Sequence, residues 1–107
     1  MPLAQVAHNA CSMAGLDPHN PICRPLSLSY FKVVAGVHMS GEQLHQAGKE
    51  LAYHNRVHAA DAITALACLL AYTSDLSDAD KWLAMIAMAF LAPQTVFAEG
   101  AVEVRVD

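Results

Sequence analysis

The chain has 107 residues, of which 55% are hydrophobic and 15% charged, and its formal net charge is -4. This length allows one small domain, and the composition is more apolar than the globular average of about half apolar and a quarter charged. The Lys and Arg residues are few and scattered, which argues against nucleic-acid binding, and charges interrupt the most apolar region, which argues against a membrane-spanning helix.

The N-terminus and the cysteines indicate a cytoplasmic protein. The segment Met1–Gln5 lacks the basic start and apolar run of a secretory signal. Cys11, Cys23 and Cys68 are odd in number and irregularly spaced, which is not typical of a disulfide framework. We therefore expect reduced thiols.

Apolar residues at helical spacing predict an all-α fold of about four to five helices. The first helix is predicted over Leu3–Met13, with Gly15 ending it and a proline-containing connector from Leu16 to Pro25. Ser27 is predicted to cap a second helix that reaches about His38. Its predicted apolar face consists of Leu28, Phe31, Val34 and Ala35.

Three further segments complete the prediction. Ser40 and Gln43 form a capping pair that predicts a third helix through about Tyr53. The run Val57–Tyr72 is apolar nearly all round, which predicts a helix buried on most sides. Ser77 and Asp80 predict the start of a last helix, which Pro93 ends. Its predicted apolar face consists of Trp82, Leu83, Ile86, Ala87, Phe90 and Leu91.

The chain divides into three predicted regions. Residues 1–25 hold the first helix and the connector, residues 26–92 form the main helical region, and residues 93–107 form a divergent tail. In the tail, Val102, Val104 and Val106 alternate with charged residues, a pattern too short to form a sheet alone. We predict that this tail is disordered or frayed.

His54 and His58 are four residues apart, which places both on one face of a helix, one turn from each other. Such a pair often arises by chance on a helix surface. Its context is the string Tyr53-His54-Asn55-Arg56-Val57-His58-Ala59-Ala60-Asp61. This string resembles the signature Tyr-His-Asn-x-x-His-Ala-x-Asp of the class I 3′,5′-cyclic-nucleotide phosphodiesterases, within the superfamily named for its His-Asp metal ligands.

The resemblance implies an all-helical hydrolase domain larger than this chain, which opens a cyclic nucleotide to a 5′-nucleoside monophosphate. By resemblance, His54 is the general acid for the leaving 3′ oxygen and His58 is a metal ligand. Tyr53 and Asn55 shape the wall of the substrate pocket. Asp61 orients a ligating histidine, or is a plain surface residue. The implied cofactors are zinc and magnesium or manganese, which activate a water, and the implied substrate is cyclic AMP or cyclic GMP.

The resemblance weakens after the last helix. In the family, the corresponding helix leads into His-Asp-x-x-His-Pro-Gly, which supplies two more metal ligands. Here the sequence from residue 93 to residue 100 is Pro-Gln-Thr-Val-Phe-Ala-Glu-Gly. The metal site is therefore expected to be incomplete, and the activity of the chain alone is doubtful. The hypothesis is a chain that is truncated or frame-shifted after about Leu91.

Other readings of the sequence remain open. One is a generic metal-dependent phosphohydrolase of the same superfamily. Another is a non-catalytic helical interaction module, which self-associates through exposed apolar helix faces. A weaker one is a small zinc site formed by His8, Cys11, His19 and Cys23 near the N-terminus.

Overall fold

The all-α prediction is confirmed in the part of the chain that the structure describes. The computed structural model describes the backbone of residues 2–46 and 51–91, and the side chains of residues 2–37 and 57–91. These ranges contain four helices and no strand. The helices are α1 (Leu3–Met13), α2 (Arg24–Gln46), α3 (Leu51–Ala71) and α4 (78–91). The predicted tail, residues 93–107, lies outside the described residues.

Helix α1 ends where the sequence predicts. The Gly15 N–H donates to the carbonyl of Ser12, and the Leu16 N–H donates back to the carbonyl of Cys11. This pair of bonds satisfies carbonyls at the helix end, and it requires a left-handed residue between them. Gly15 takes that conformation with φ 78°, and Leu16 beyond it is buried. The turn thus directs the chain back onto the core.

Gly15→Ala and Gly36→Ala should change the free energy of unfolding in opposite directions. Neither glycine has a heavy atom within 4 Å of the position a Cβ would occupy, so only the backbone distinguishes them. We expect Gly15→Ala to cost about 1–2 kcal/mol because of its positive φ. Gly36→Ala lies on the exposed side of α2 and should stabilise by about 0.5–1 kcal/mol. Urea unfolding measures the change in the free energy of unfolding for both variants. A change of the same sign in both would contradict this expectation.

The connector is an ordered loop, and Ser27 has a different role from the predicted one. The Asp17 carboxylate accepts the His19 N–H at 2.9 Å, and the Asn20 amide oxygen accepts the Ile22 N–H at 3.1 Å. Helix α2 already begins at Arg24, so Ser27 is not its cap. The Ser27 hydroxyl is buried and lies 3.0 Å from the Pro18 carbonyl oxygen, which ties the loop to the helix.

The predicted second and third helices are one helix. Helix α2 runs without interruption from Arg24 to Gln46 and passes through Gly36 and Ser40. A helical glycine costs only about 1 kcal/mol relative to alanine, and no proline stands in this stretch to force a break. Its buried face agrees with the predicted one only in part. Val34 is buried and Phe31 packs against the core as predicted, whereas Leu28 is 54% exposed and Tyr30 is buried instead.

The core lies where one face of each helix meets the others. Small residues dominate it in α1 and α3, which lets the helix backbones approach closely, and α4 contributes large side chains. The buried residues of the helices are Leu3, Ala7, Ala10 and Cys11 in α1, Tyr30 and Val34 in α2, Ala59, Ile63, Ala67 and Leu70 in α3, and Trp82, Met85 and Ala89 in α4. The segment between α1 and α2 adds Ala14, Leu16 and Cys23.

Helix α3 is buried on one side only, contrary to the prediction. Its buried residues recur every three or four positions, from Ala59 to Leu70, which is a single helix face. The opposite side is open, and Leu69 there is 68% exposed. The apolar residues all round this helix predict burial on most sides, but within the described residues the other helices cover one face.

Helix α4 begins as predicted but presents another face to the core. The Asp80 N–H donates to the Ser77 hydroxyl at 3.2 Å, which confirms Ser77 as its cap. Trp82 is buried as predicted, whereas Leu83 and Phe90 are about half exposed. Met85 and Ala89 replace them in the core. No helix in the described ranges is both long and apolar enough to cross a membrane.

Candidate functional site

The whole string Tyr53–Asp61 lies within α3. The backbone of this helix runs without a break from Leu51 to Ala71. Tyr53, His54 and Asn55 therefore belong to the same helix as His58 and Asp61. His54 precedes His58 by one helical turn. The side chains of Tyr53, His54 and Asn55 lie outside the described residues, so their predicted roles stay predictions.

His58 and Asp61 are both exposed, and they share one face of α3. The same face continues along the helix through Ala65 and Leu69 to Tyr72 in the turn that follows α3, each three or four residues from the last. We call these five residues the outer face of α3. The outer face lies opposite the buried face of this helix, so His58 and Asp61 point away from the core.

The predicted ligand His58 and the predicted orienting residue Asp61 are thus close neighbours, one turn apart and open to solvent. An exposed imidazole and an exposed carboxylate are both competent ligands for a divalent ion. A centre with two metals needs several ligands to fix its geometry. Among the described side chains, no three His, Cys, Asp or Glu residues come together in a way that could hold a metal. These residues alone do not fit a two-metal centre.

The four residues of the possible N-terminal zinc site do not converge either. Cys11 and Cys23 are buried in the core, and burial raises the pKa of Cys11 to about 12. A thiol that stays protonated at neutral pH is a poor metal ligand. His8 is exposed and stacks on the Phe31 ring, with 4.3 Å between ring centroids. Cys11 and Cys23 are therefore structural, and His8 belongs to an aromatic contact.

The structure adds three residues to the site that the sequence reasoning did not single out. Ala65, Leu69 and Tyr72 extend the outer face beyond Asp61, and Tyr72 is 90% exposed. The signal was present in the sequence, because these positions continue the spacing of His58 and Asp61. The apolar residues around them predict a mostly buried helix, which obscures this pattern.

The exposed thiol of Cys68 lies beside this face. Its sulfur is 3.2 Å from the sulfur of Met13, which links α3 to the end of α1. Cys68 is the exposed member of the three cysteines, all of which are free. It is therefore the thiol that a reagent in solution reaches first.

Compared with known proteins, the chain matches no family model, no curated protein sequence and no solved structure. The case for a function therefore depends on the string Tyr53–Asp61 and on its placement in α3.

Proposed function

We propose that this chain carries the motif helix of a cyclic-nucleotide phosphodiesterase-like hydrolase, in which α3 supplies a proton donor and a metal ligand. The observation that supports the proposal is the position of His58 and Asp61. They are exposed, they lie one turn apart, and they share the face of α3 that is turned away from the core. A substrate and an ion can reach this face directly.

In this proposal each residue of the string has a separate task. His58 binds a divalent ion through a neutral ring nitrogen, and Asp61 accepts a hydrogen bond that orients a ligating imidazole. His54, one turn before His58, donates a proton to the 3′ oxygen as it leaves phosphorus. Tyr53 and Asn55 border the substrate.

The resemblance implies two metals beside these residues. When bound, zinc and magnesium or manganese would stabilise negative charge on the phosphoryl oxygens and lower the pKa of a bound water. Among the described residues only His58 and Asp61 stand on the outer face as candidate ligands. We therefore expect slow turnover from this chain by comparison with a site that holds both metals firmly.

A zinc titration tests the first part of the proposal. We expect zinc to shift the histidine resonances of His54 and His58 in NMR spectra, with saturation near one equivalent. His58→Ala should weaken zinc binding at least tenfold, and Asp61→Asn roughly tenfold, the lower end of the usual effect of an orienting partner.

His19→Ala is the matched control, because His19 is an exposed histidine in the connector, away from α3. Its zinc affinity should equal that of the unmodified chain. Equal weakening by His19→Ala and His58→Ala, or no binding at millimolar zinc, would count against a metal site on α3.

A second candidate function is a helical interaction module. Exposed apolar side chains favour it. Leu69 on α3, Tyr72 just after α3, and Leu83 and Phe90 on α4 are all at least half exposed. Exposed apolar surface of this kind often marks a contact with another chain.

Turnover of p-nitrophenyl phosphate without turnover of a cyclic nucleotide would instead favour a generic phosphohydrolase.

A further inference from the structure

We propose that the Cys68 thiolate and the Met13 thioether together bind a soft monovalent metal ion, Cu(I), at the surface between α1 and α3. Met13 is the last residue of α1, and Cys68 lies in the last turn of α3. The proposed site uses neither His58 nor Asp61, so it does not depend on the proposed function.

Two sulfur atoms from distant parts of the chain meet at this place. The Cys68 thiol donates to the Met13 sulfur at 3.2 Å, across 55 residues of sequence. Met13 is 43% exposed and Cys68 is also exposed, so an ion from solvent can reach both sulfur atoms. The contact therefore brings together two potential ligands of one chemical kind, each held by a different helix.

The chemistry of the two ligands selects a soft ion. Thiolate and thioether sulfur are the protein ligands that favour Cu(I) over harder divalent ions. A structural zinc ion instead takes four ligands, drawn from cysteine, histidine and carboxylate side chains. Within residues 2–37 and 57–91, no three His, Cys, Asp or Glu side chains converge on one point. A soft ion of low coordination number therefore suits this sulfur pair better than zinc does.

The site can open by rotation of side chains alone. A metal–sulfur bond is about 2.3 Å long, so a linear sulfur–metal–sulfur arrangement places the two sulfur atoms about 4.6 Å apart. Methionine has three rotatable side-chain bonds, and Met13 is exposed enough to move outward from its present contact. The backbone beside it is held, because the Lys81 ammonium donates to the Ala14 carbonyl at 3.2 Å.

The other two thiols of the chain do not compete for the ion. Cys11 and Cys23 are buried, and burial raises the pKa of the Cys11 thiol to about 12. Binding at Cys68 breaks its S–H bond, forms a sulfur–metal bond and releases the proton to solvent. No oxidation state changes in this step, and the thiolate neutralises the charge of the ion.

Competition with bicinchoninic acid, a coloured chelator of Cu(I), tests the site on the full chain without oxygen. We expect the unmodified chain to withdraw one equivalent of Cu(I) from the chelator. Cys68→Ser should abolish this binding, because it removes the thiolate. Met13→Leu should weaken it by roughly tenfold or more, because leucine keeps the apolar bulk of the side chain and removes the sulfur.

Two control variants make the outcome decisive. Met88→Leu removes a thioether from α4, where Met88 packs against the core, and His58→Ala removes the proposed zinc ligand. Both should bind Cu(I) as tightly as the unmodified chain. Undiminished binding by Met13→Leu would leave a thiol acting alone and overturn the proposal. Loss of binding in His58→Ala would place the ion on the outer face and would also overturn it.

Protection of Cys68 from alkylation provides an independent measurement. Iodoacetamide is added to the full chain while the chelator holds free Cu(I) at the midpoint of binding, and mass spectrometry follows the modified Cys68. We expect Cu(I) to slow the alkylation of Cys68 in the unmodified chain and to have little effect in Met13→Leu. Zinc at the same free concentration should not protect the thiol. Equal protection by zinc would contradict a site for a soft monovalent ion.

Discussion

Replacing Trp82 by alanine (Trp82→Ala) is expected to lower the free energy of unfolding by about 3–5 kcal/mol. Trp82 is 1% exposed and is among the largest fully buried side chains of the described residues. Its ring lies 5.7 Å from that of Tyr30 and 6.4 Å from that of Phe31, measured between centroids. The substitution removes apolar burial and both aromatic contacts, and it leaves a cavity between α2 and α4.

This loss is large for a domain of this size. Stabilities of about 5–15 kcal/mol are usual, and a small domain lies near the lower end, so we expect the variant to retain little folded structure at 37 °C. Thermal unfolding followed by circular dichroism should show a fall in Tm of more than about 10 °C.

Leu83→Ala is the matched control for Trp82→Ala. Leu83 is the next residue on the same helix and is 52% exposed. Leu83→Ala should lower the free energy of unfolding by less than about 1 kcal/mol, as surface substitutions usually do. A larger loss from Leu83→Ala than from Trp82→Ala would mean that α4 packs with its other face on the core.

Tyr30→Ala is expected to have an effect of similar size, about 3–5 kcal/mol. Tyr30 is fully buried, and its ring contacts those of Phe31 and Trp82. Its hydroxyl donates to the Ala7 carbonyl at 3.4 Å, a long hydrogen bond. The stabilisation therefore comes mainly from the ring, which joins α2 to α1 and α4.

Tyr30→Phe separates the ring from the hydroxyl. It keeps the ring and removes only the long bond to Ala7, so we expect it to cost less than about 1 kcal/mol. Urea unfolding at neutral pH measures both variants. If Tyr30→Phe cost as much as Tyr30→Ala, the hydroxyl rather than the ring would hold these helices together.

Local signals in the sequence predicted two helix ends well. Gly15 identified the end of α1 because a left-handed residue is needed there, and Ser77 identified the start of α4 through its side-chain bond to the Asp80 N–H. Both signals act within a few residues and do not depend on packing. The all-α class followed from the helical spacing of apolar residues.

Signals that depend on packing were less informative. Gly36 and Ser40 suggested a break in α2. The free-energy cost of a glycine or a serine inside a helix is small, however, and the helix continues through both. In α4, apolar residues surround the helix, so their spacing did not reveal which face is buried. The structure shows that Met85 and Ala89, rather than Leu83 and Phe90, pack inward. Only the neighbouring helices decide that question.

The site was predictable in one respect and not in another. Spacing alone placed His58 and Asp61 one turn apart, and the structure agrees. Spacing did not show that they face away from the core, because the apolar surroundings suggested a buried helix. In the structure, Ala59, Ile63 and Ala67 form the buried side of α3, and the outer face lies opposite them.

The most direct measurement of the central claim is the product formed from a cyclic nucleotide. The chain is incubated with 3′,5′-cyclic AMP or cyclic GMP in the presence of zinc and magnesium or manganese, and the products are separated by chromatography. We expect slow formation of the 5′-nucleoside monophosphate, which His54→Ala and His58→Ala each abolish while His19→Ala does not. Absence of this product from the unmodified chain, or its undiminished formation by His58→Ala, would contradict a phosphodiesterase-like site on α3.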